Sequence, residues 1–429
     1  MADRGELLVV VHRVPYPPDK GDKIRSYNQI KFLVEQGWKV HLCTLADDPS
    51  DMQHAVELLK LCASVAIEPL HPKLQKIKSL SAIFMGLPMS ARYFYSKNLQ
   101  QRVNDVLGNH PISAVLCYCS PMAEYLRRAS VNPLPYGRNR HVSYIMDLVD
   151  VDSDKWEQYA KRHSAPMKWV YNLESRLLHR YERSITGWFD AVVLVSEAEA
   201  NVFRHRVGCQ HKIRAVGNGV DLAYFHPADK KTVRANSRIS FCGAMNYLPN
   251  VDAVCWFARE VLPRIREKLG EVEFWIIGGA AGDEVRALGN LPGVRVTGRV
   301  DDVRPFVWDS DLAVAPIRIA RGIQNKVLEA MAMGVSTLVS PQAFEGLEAE
   351  TGRELTVSPA EPDEFAAVAI ELLRDPQRRH DIARNARLMV EEKYSWEGRL
   401  QVLDDLLLGS FRDISEVQTA AQLRGQISV

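Results

Sequence analysis

Short runs of β-branched and aliphatic residues, each followed by a longer amphipathic stretch, recur along most of this chain. That alternation constrains the fold more than any single residue, because parallel strands require long crossovers, usually helical, that carry the chain back to the same end of the sheet. In the first half, runs at 7–11, 40–45, 65–68, 114–117, 142–146 and 191–195 read as strands, with helical spacing at 24–36 and 167–185 among the segments between them. A second series at 238–242, 272–277, 294–297, 312–315 and 336–340 repeats the pattern. The reading is α/β, with two doubly wound parallel-sheet domains, and 429 residues is a length that two cores fit better than one.

Between the two series lies Gly217-Asn218-Gly219, followed by Asp221 and closed by Pro227, a composition that continues neither helix nor strand. It reads as an interdomain hinge over 217–221, dividing a domain at 1–220 from one at 221–394. Residues 395–408 form a last helix that can cross back to the first domain, and a polar tail follows from about Asp413.

The 54 basic and 53 acidic side chains nearly cancel, which argues against nucleic acid as a partner and makes any electrostatic recognition local. Seven cysteines without zinc-type spacing suit reduced thiols in a cytoplasmic protein. The opening residues are too short and wrongly flanked for a signal peptide, and no uncharged apolar run approaches the ~18 residues of a membrane span. Peripheral membrane contact is a separate matter: Lys73, Lys76 and Lys78 flank an apolar run within 73–85, a pattern that suits an anionic bilayer as well as a helix with a solvated edge.

Ligands of open α/β sheets bind beyond the carboxyl ends of the strands, so the loops there carry the candidate chemistry. The loop after the first strand holds Lys20, Gly21, Lys23 and Arg25, a glycine that lets backbone approach a ligand with cations beside it. The cluster from Asp147 to Asp154 follows the 142–146 strand. Asp147 and Asp150 are its candidate catalytic groups, and Asp152 or Ser153 suits a helix N-cap. The acidic spacing lacks the glycine and terminal glutamate of a calcium loop. The densest site is at 318–334, where Arg318, Arg321, Gly322 and Lys326 precede Val327, Leu328 and Glu329 at a strand-to-helix junction. Helix-start amides and cations there suit a diphosphate, and a carboxylate one turn further suits a ribose diol. Neither a G-x-G-x-x-G fingerprint nor a P-loop is present.

Asn218-Gly219-Val220-Asp221 with Phe225 and Pro227, the run from Val327 to Gly334, and Tyr394-Ser395-Trp396 together resemble the family 4 glycosyltransferases. More narrowly, the run from Tyr16 to Tyr27, Pro249-Asn250-Val251-Asp252-Ala253 and Gly322-Ile323-Gln324-Asn325-Lys326 resemble sugar transferases associated with exosortase (PEP-CTERM) systems and exopolysaccharide synthesis. The resemblance implies a GT-B fold, two Rossmann-like domains facing across a cleft, and retaining transfer without a metal or cofactor. The donor would be a UDP- or GDP-sugar on the second domain and the acceptor a saccharide, lipid-linked, on the first. Glu329 would then be the second glutamate of the family's E-x7-E motif and hold the donor ribose. Gly21 would lie near the donor phosphate. Gly278, Gly279, Gly298 and Arg299 would line the base pocket.

Three positions depart from the family's pattern. The first glutamate position is Arg321, the loop from Gly243 through Asn246 to Asn250 lacks the Arg and Lys common there, and Asp147 stands where a histidine is common. Moving the pyrophosphate role to Arg318, Arg321 and Lys326 reconciles the first two, and Gly243 and Asn246 count among the donor-binding residues. The alternative within the same fold is a nucleotide-sugar 2-epimerase, which consumes donor without an acceptor. An oxidoreductase lacks its glycine fingerprint here.

Overall fold

The computed structural model describes residues 3–18, 21–82, 86–134, 137, 139, 141–209, 211–228, 236–319 and 323–409. They form two compact units, Met1–Gly217 together with Leu400–Val429, and Asn218–Arg399.

Among the described residues of the first unit, seven strands make one parallel sheet: β1 (Gly5–Val11), β2 (Trp38–Ala46), β3 (Ser64–Pro69), β4 (Ile112–Tyr118), β5 (Ser143–Val149), β6 (Ala191–Leu194) and β7 (Ile213–Ala215). Their order is β3-β2-β1-β4-β5-β6-β7, so the winding reverses between β1 and β4. Leu7, Leu8, Val9, Val10 and Val11 are each at most 1% exposed, the continuous apolar run of a strand covered on both faces. Helices α1 (Gly21–Glu35), α2 (Pro72–Leu80), α3 (Met89–Tyr93), α4 (Lys97–Asn109), α5 (Asp152–Arg162) and α6 (Met167–Trp188) belong to this unit. β5 runs to Val149, beyond the 142–146 read from sequence, and so carries Asp147 inside the sheet.

The second unit holds β8 (Ser237–Cys242), β9 (Val272–Ile277), β10 (Val294–Gly298), β11 (Leu312–Ala315), β12 (Thr337–Val339) and β13 (Thr356–Val357), in the order β10-β9-β8-β11-β12-β13. All the pairings are parallel, and the reversal falls between β8 and β11. Helices α7 (Leu248–Trp256) and α8 (Asn325–Ala332) follow the two strands at that reversal. Phe241, Phe257, Phe274 and Phe365 are each at most 1% exposed in the core beneath them.

Two details tie the ends of the units down. In the turn at 218–221, the amide of Val220 donates to the carbonyl of Tyr394 at 2.7 Å, and a β-carbon on Gly219 would meet the Trp396 backbone at 2.6 Å, so only glycine fits. The last helix, α9 (Trp396–Leu407), starts in the second unit and ends in the first. There Asp404, fully buried, accepts from the Trp38 indole at 2.6 Å and pairs with Arg4 at 3.2 Å, while Leu403, Leu406 and Leu407 are buried.

Candidate active site

In the second unit the carboxyl ends of β8 and β11 meet the start of α8, the crevice position of a doubly wound sheet. Backbones crowd there. A β-carbon on Gly278, whose φ is +145°, would lie 1.9 Å from the carbonyl oxygen of Gly243, and one on Gly243 would meet Asn250 Nδ2 at 2.7 Å and Lys326 Cε at 3.3 Å. The Gly243 amide donates to the Ile277 carbonyl at 3.0 Å and the Met245 amide to that of Gly279 at 2.9 Å. Close approach of three segments, after β8, after β9 and at the start of α8, leaves no room for a side chain at Gly243 or Gly278.

Lys326 and Glu329 lie one turn apart on α8. The Lys326 ammonium donates to Gln324 Oε1 at 2.9 Å and sits 5.6 Å from the Phe241 ring centre. Burial pulls its pKa down, although Glu329 and Cys242 oppose that shift. Among the described residues it has no carboxylate in ion-pair reach. Burial pushes the Glu329 carboxyl up to about 7 against the pull of Lys326. That carboxyl, too, has no hydrogen-bond or ion-pair partner among the described residues. The Cys242 thiol between them is pushed up to about 12 by burial and then by Glu329, so it stays protonated and is no nucleophile at neutral pH. A cavity of about 20 Å³, room for one water, is lined by Ser240, Cys242, Lys326 and Glu329 with apolar neighbours. A cation and a carboxylate at a helix start, both short of partners, can hold a phosphate and a pair of hydroxyls.

The remaining expected groups divide. Gly279 packs against Arg299, which is exposed and forms no ion pair among the described residues, and Gly298 ends β10 beside it with φ +70°. Asn246 is exposed on the turn after β8. The Val327 and Leu328 side chains belong to the core, at 2% and 0% exposure, so only their amides remain for a ligand. Arg318 does not join Lys326: it forms a two-point pair with Asp252 of α7, at 2.5 and 3.0 Å, and lines a separate groove of about 310 Å³ with Trp256 and Glu284. Lys20, Arg321 and Gly322 lie outside the described residues. Asn250, to which the sequence assigns no role of its own within the 249–253 run, donates its amide to the Ala244 carbonyl at 2.9 Å and fixes the Gly243 loop.

In the first unit, most charges read as ligand-binding are consumed internally. Asp147 is fully buried: one carboxylate oxygen accepts from Arg25 Nε at 2.8 Å and Gln29 Nε2 at 2.6 Å, the other from the Val149 amide at 2.9 Å. It therefore braces α1 against β5 and does not face a ligand, which corrects the catalytic reading. Lys23 and Arg25 are no free cations either, since Lys23 is 5% exposed and paired with Asp51 at 2.9 Å and Arg25 is fully buried. Asp150 is partly exposed and paired with Lys155 at 2.6 Å. Neither Asp152 nor Ser153 is the N-cap of α5, which is Val151; Ser153 instead gives its amide and hydroxyl to Glu182 at 3.0 and 2.5 Å.

What stands at the carboxyl end of β1 is His12, stacked on Tyr118 at 5.9 Å and edge-on to Phe94 at 5.4 Å. Its Nε2 lies 3.3 Å from Asp22. Burial alone would raise the Asp22 carboxyl, but His12 and Arg13 hold it well below the ordinary range. The one sequence signal of His12 is its place directly after the first strand. Gly21 starts α1 with nothing within 4 Å of a β-carbon placed on it, so that backbone is open. At the ends of β4 and β5, Cys119 and Val149 both have φ +68°, a conformation costly for the β-branched Val149.

The chain is similar to known proteins in sequence and in fold. Residues 24–224 match the family model described as Glycosyltransferase Family 4, and residues 236–375 the one described as Glycosyl transferases group 1. A D-inositol 3-phosphate glycosyltransferase 2 of Catenulispora acidiphila is 24% identical over 268 residues, 57% of this chain, and the match spans 62% of that relative's length. Among solved structures, sucrose-phosphate synthase from Thermosynechococcus elongatus has a TM-score of 0.63 at 14% identity, covering 97% of this chain and 100% of that one. WaaG, a glycosyltransferase involved in lipopolysaccharide biosynthesis, has 0.62 at 13%, covering 94% and 99%. Anabaena HepE, solved with UDP and glucose, has 0.59 at 15%, covering 97% and 100%. At these identities the likeness is one of fold, and the fold is GT-B.

Proposed function

Taking the chain as a GT-B glycosyltransferase of family 4, which the two family matches support, we propose that it transfers a sugar from a nucleotide-sugar donor to a hydroxyl of a saccharide acceptor. The observation that carries this reading is the pair Lys326 and Glu329, unpaired with any charge among the described residues, on the first turns of α8 over the β8–β11 reversal. Lys326 and the α8 amides neutralise the leaving diphosphate, and Glu329 accepts from the ribose hydroxyls. The relatives of known structure include one holding UDP and glucose, so a uridine diphosphate sugar is the first donor to test, ahead of GDP-sugars.

Transfer with retention follows the same logic. The acceptor oxygen attacks the anomeric carbon on the face from which the diphosphate leaves, and the departing phosphate oxygen takes the hydroxyl proton. No side chain then has to act as nucleophile, in keeping with the burial of Asp147. The step asks for no metal, because Lys326 and backbone amides supply the positive field.

A lipid-linked acceptor at the inner face of the cell membrane, within exopolysaccharide assembly of the exosortase-associated kind, is the finer reading. Its support is an inverted surface on the first unit. On α2 the polar Gln75 and Ser79 are buried while Leu74 and Ile77 are 55% and 70% exposed, beside exposed Lys73, Lys76 and Lys78. On α6 Trp169 is 70% exposed, with Met167 and Val170. Glu174 of α6 takes the amides of Met89 and Ser90 at 2.8 and 3.1 Å, and α3 in turn packs against α2, so the two patches share one scaffold. Apolar tips ringed by lysines suit an anionic interface. Among the described residues no helix is long and apolar enough to cross a membrane.

The test is calorimetry and thermal shift with UDP, GDP, ADP and their sugars, with and without magnesium, on the parent and on Glu329→Ala. One nucleotide sugar binding the parent without metal, and the variant at least tenfold more weakly, supports the reading. Binding that ignores Glu329, or no nucleotide binding, overturns it.

A further inference from the structure

At the opposite end of the first sheet, away from the crevice, Glu6 of β1, His41 of β2 and His110 after α4 converge. Glu6 Oε2 lies 3.0 Å from His41 Nε2 and 3.1 Å from His110 Nδ1, and all three ligand atoms fall within 4.8 Å of one another. Bonds of about 2.0–2.1 Å in a tetrahedron place ligand atoms about 3.3 Å apart, so this triangle is near the size that a zinc ion spans. We infer that Glu6, His41 and His110 form a binding site for a divalent transition metal of the zinc class, with water as a fourth ligand on the open side of His110.

Four further features of the surroundings support the assignment. Sheet register sets His41 opposite Ser64, whose Oγ is 2.7 Å from His41 Nδ1. That hydroxyl holds the ring so that Nε2 faces Glu6, the orientation a metal-ligating imidazole needs. Glu6 has no Lys or Arg partner among the described residues; its carboxylate meets the two imidazoles. His41 is 3% exposed, so one ligand is rigid, while His110 is exposed and leaves a path of entry. His110 is also the C-cap of the 13-residue α4, and the negative end of a helix favours a cation. Two nitrogens and one carboxylate select zinc, cobalt or nickel over magnesium or calcium. The site is independent of the donor crevice and of the transfer reading.

The experiment uses the full chain, stripped with a chelator and titrated with zinc chloride by calorimetry and with cobalt chloride by visible absorption. One equivalent is expected to bind, to raise Tm, and to give a cobalt spectrum with nitrogen and oxygen ligands. His110→Ala and Glu6→Gln each weaken it at least tenfold and abolish the Tm rise. His110 is exposed, so that variant keeps the fold, and its far-UV spectrum verifies this. Cys209, 3.9 Å from His211 and partly exposed, is the competing zinc ligand to rule out. Loss of the equivalent in Cys209→Ser, its survival in His110→Ala, or no zinc uptake by the parent overturns the assignment. Nucleotide-sugar binding that is unchanged by the chelator separates this metal from the donor site.

Discussion

The Glu329 carboxyl holds its proton to about pH 7 in the folded chain against an ordinary 4.5, because burial outweighs the pull of Lys326. Between those values the folded state keeps a proton that the unfolded state has released, so stability falls as pH rises from 4.5 to 7. Glu329→Gln is expected to flatten that part of the curve, as seen in the difference in Tm between parent and variant across pH 4.5–7.5. On the proposed reading, a bound ribose reverses the balance by donating hydrogen bonds to the ionised carboxylate. Affinity for a UDP-sugar, which does not itself titrate there, should rise from pH 6 to 8 in the parent and stay flat in the variant. Lys326→Met keeps the length and removes a charge whose burial is costly. It should leave denaturant stability equal or higher and weaken nucleotide-sugar binding by tenfold or more, since hydrogen bonds to charged groups contribute about 1.5–3 kcal/mol. Asp147→Ala removes the buried carboxylate that Arg25, Gln29 and the Val149 amide share, and a loss of roughly 3–5 kcal/mol in chemical denaturation follows. A variant as stable as the parent but inactive would return Asp147 to the chemistry.

Elements were more legible in the sequence than the partners of individual charges. The apolar runs of β1, β2, β9 and β11 stand out because both faces are covered, whereas β7 and β13, of three and two residues, are too short to carry a pattern. The helix starting at Asn325 and its Glu329 could be read from local spacing, because both belong to one turn of chain. What captures a cation could not: Arg25 finds Asp147 at a separation of 122 residues, and Arg318 finds Asp252 at 66. Sequence gave the type of charge at each loop, and the sheet's winding decided which loops became neighbours. The glycines show the same division. Resemblance places Gly278 in a base pocket without making its packing legible, yet its positive φ and the Gly243 carbonyl 1.9 Å from a β-carbon make Gly278→Ala incompatible with the β8–β9 loop packing. That change should cost about 1–3 kcal/mol, with a loss of nucleotide-sugar affinity to match, measured by denaturation and calorimetry on one preparation.

For the molecule as a whole, surface and connectivity matter more than any single contact. Turning Ile77 and Trp169 to Ser removes exposed apolar area that no described residue covers, so stability should hold while co-sedimentation with anionic vesicles drops several-fold. Vesicle binding that the double change leaves untouched, or none by the parent, would overturn the proposed membrane contact of this surface. The last helix has a different consequence. Trp38, near the start of the chain, donates to a carboxylate 366 residues further on, and Leu403, Leu406 and Leu407 pack into the same unit. The unit begun first on the ribosome is therefore the last to be completed. At about 5–20 residues per second its open edge waits through the synthesis of the entire second unit, so a released chain ending at Arg399 should be protease-sensitive around Trp38 while the second unit is protected.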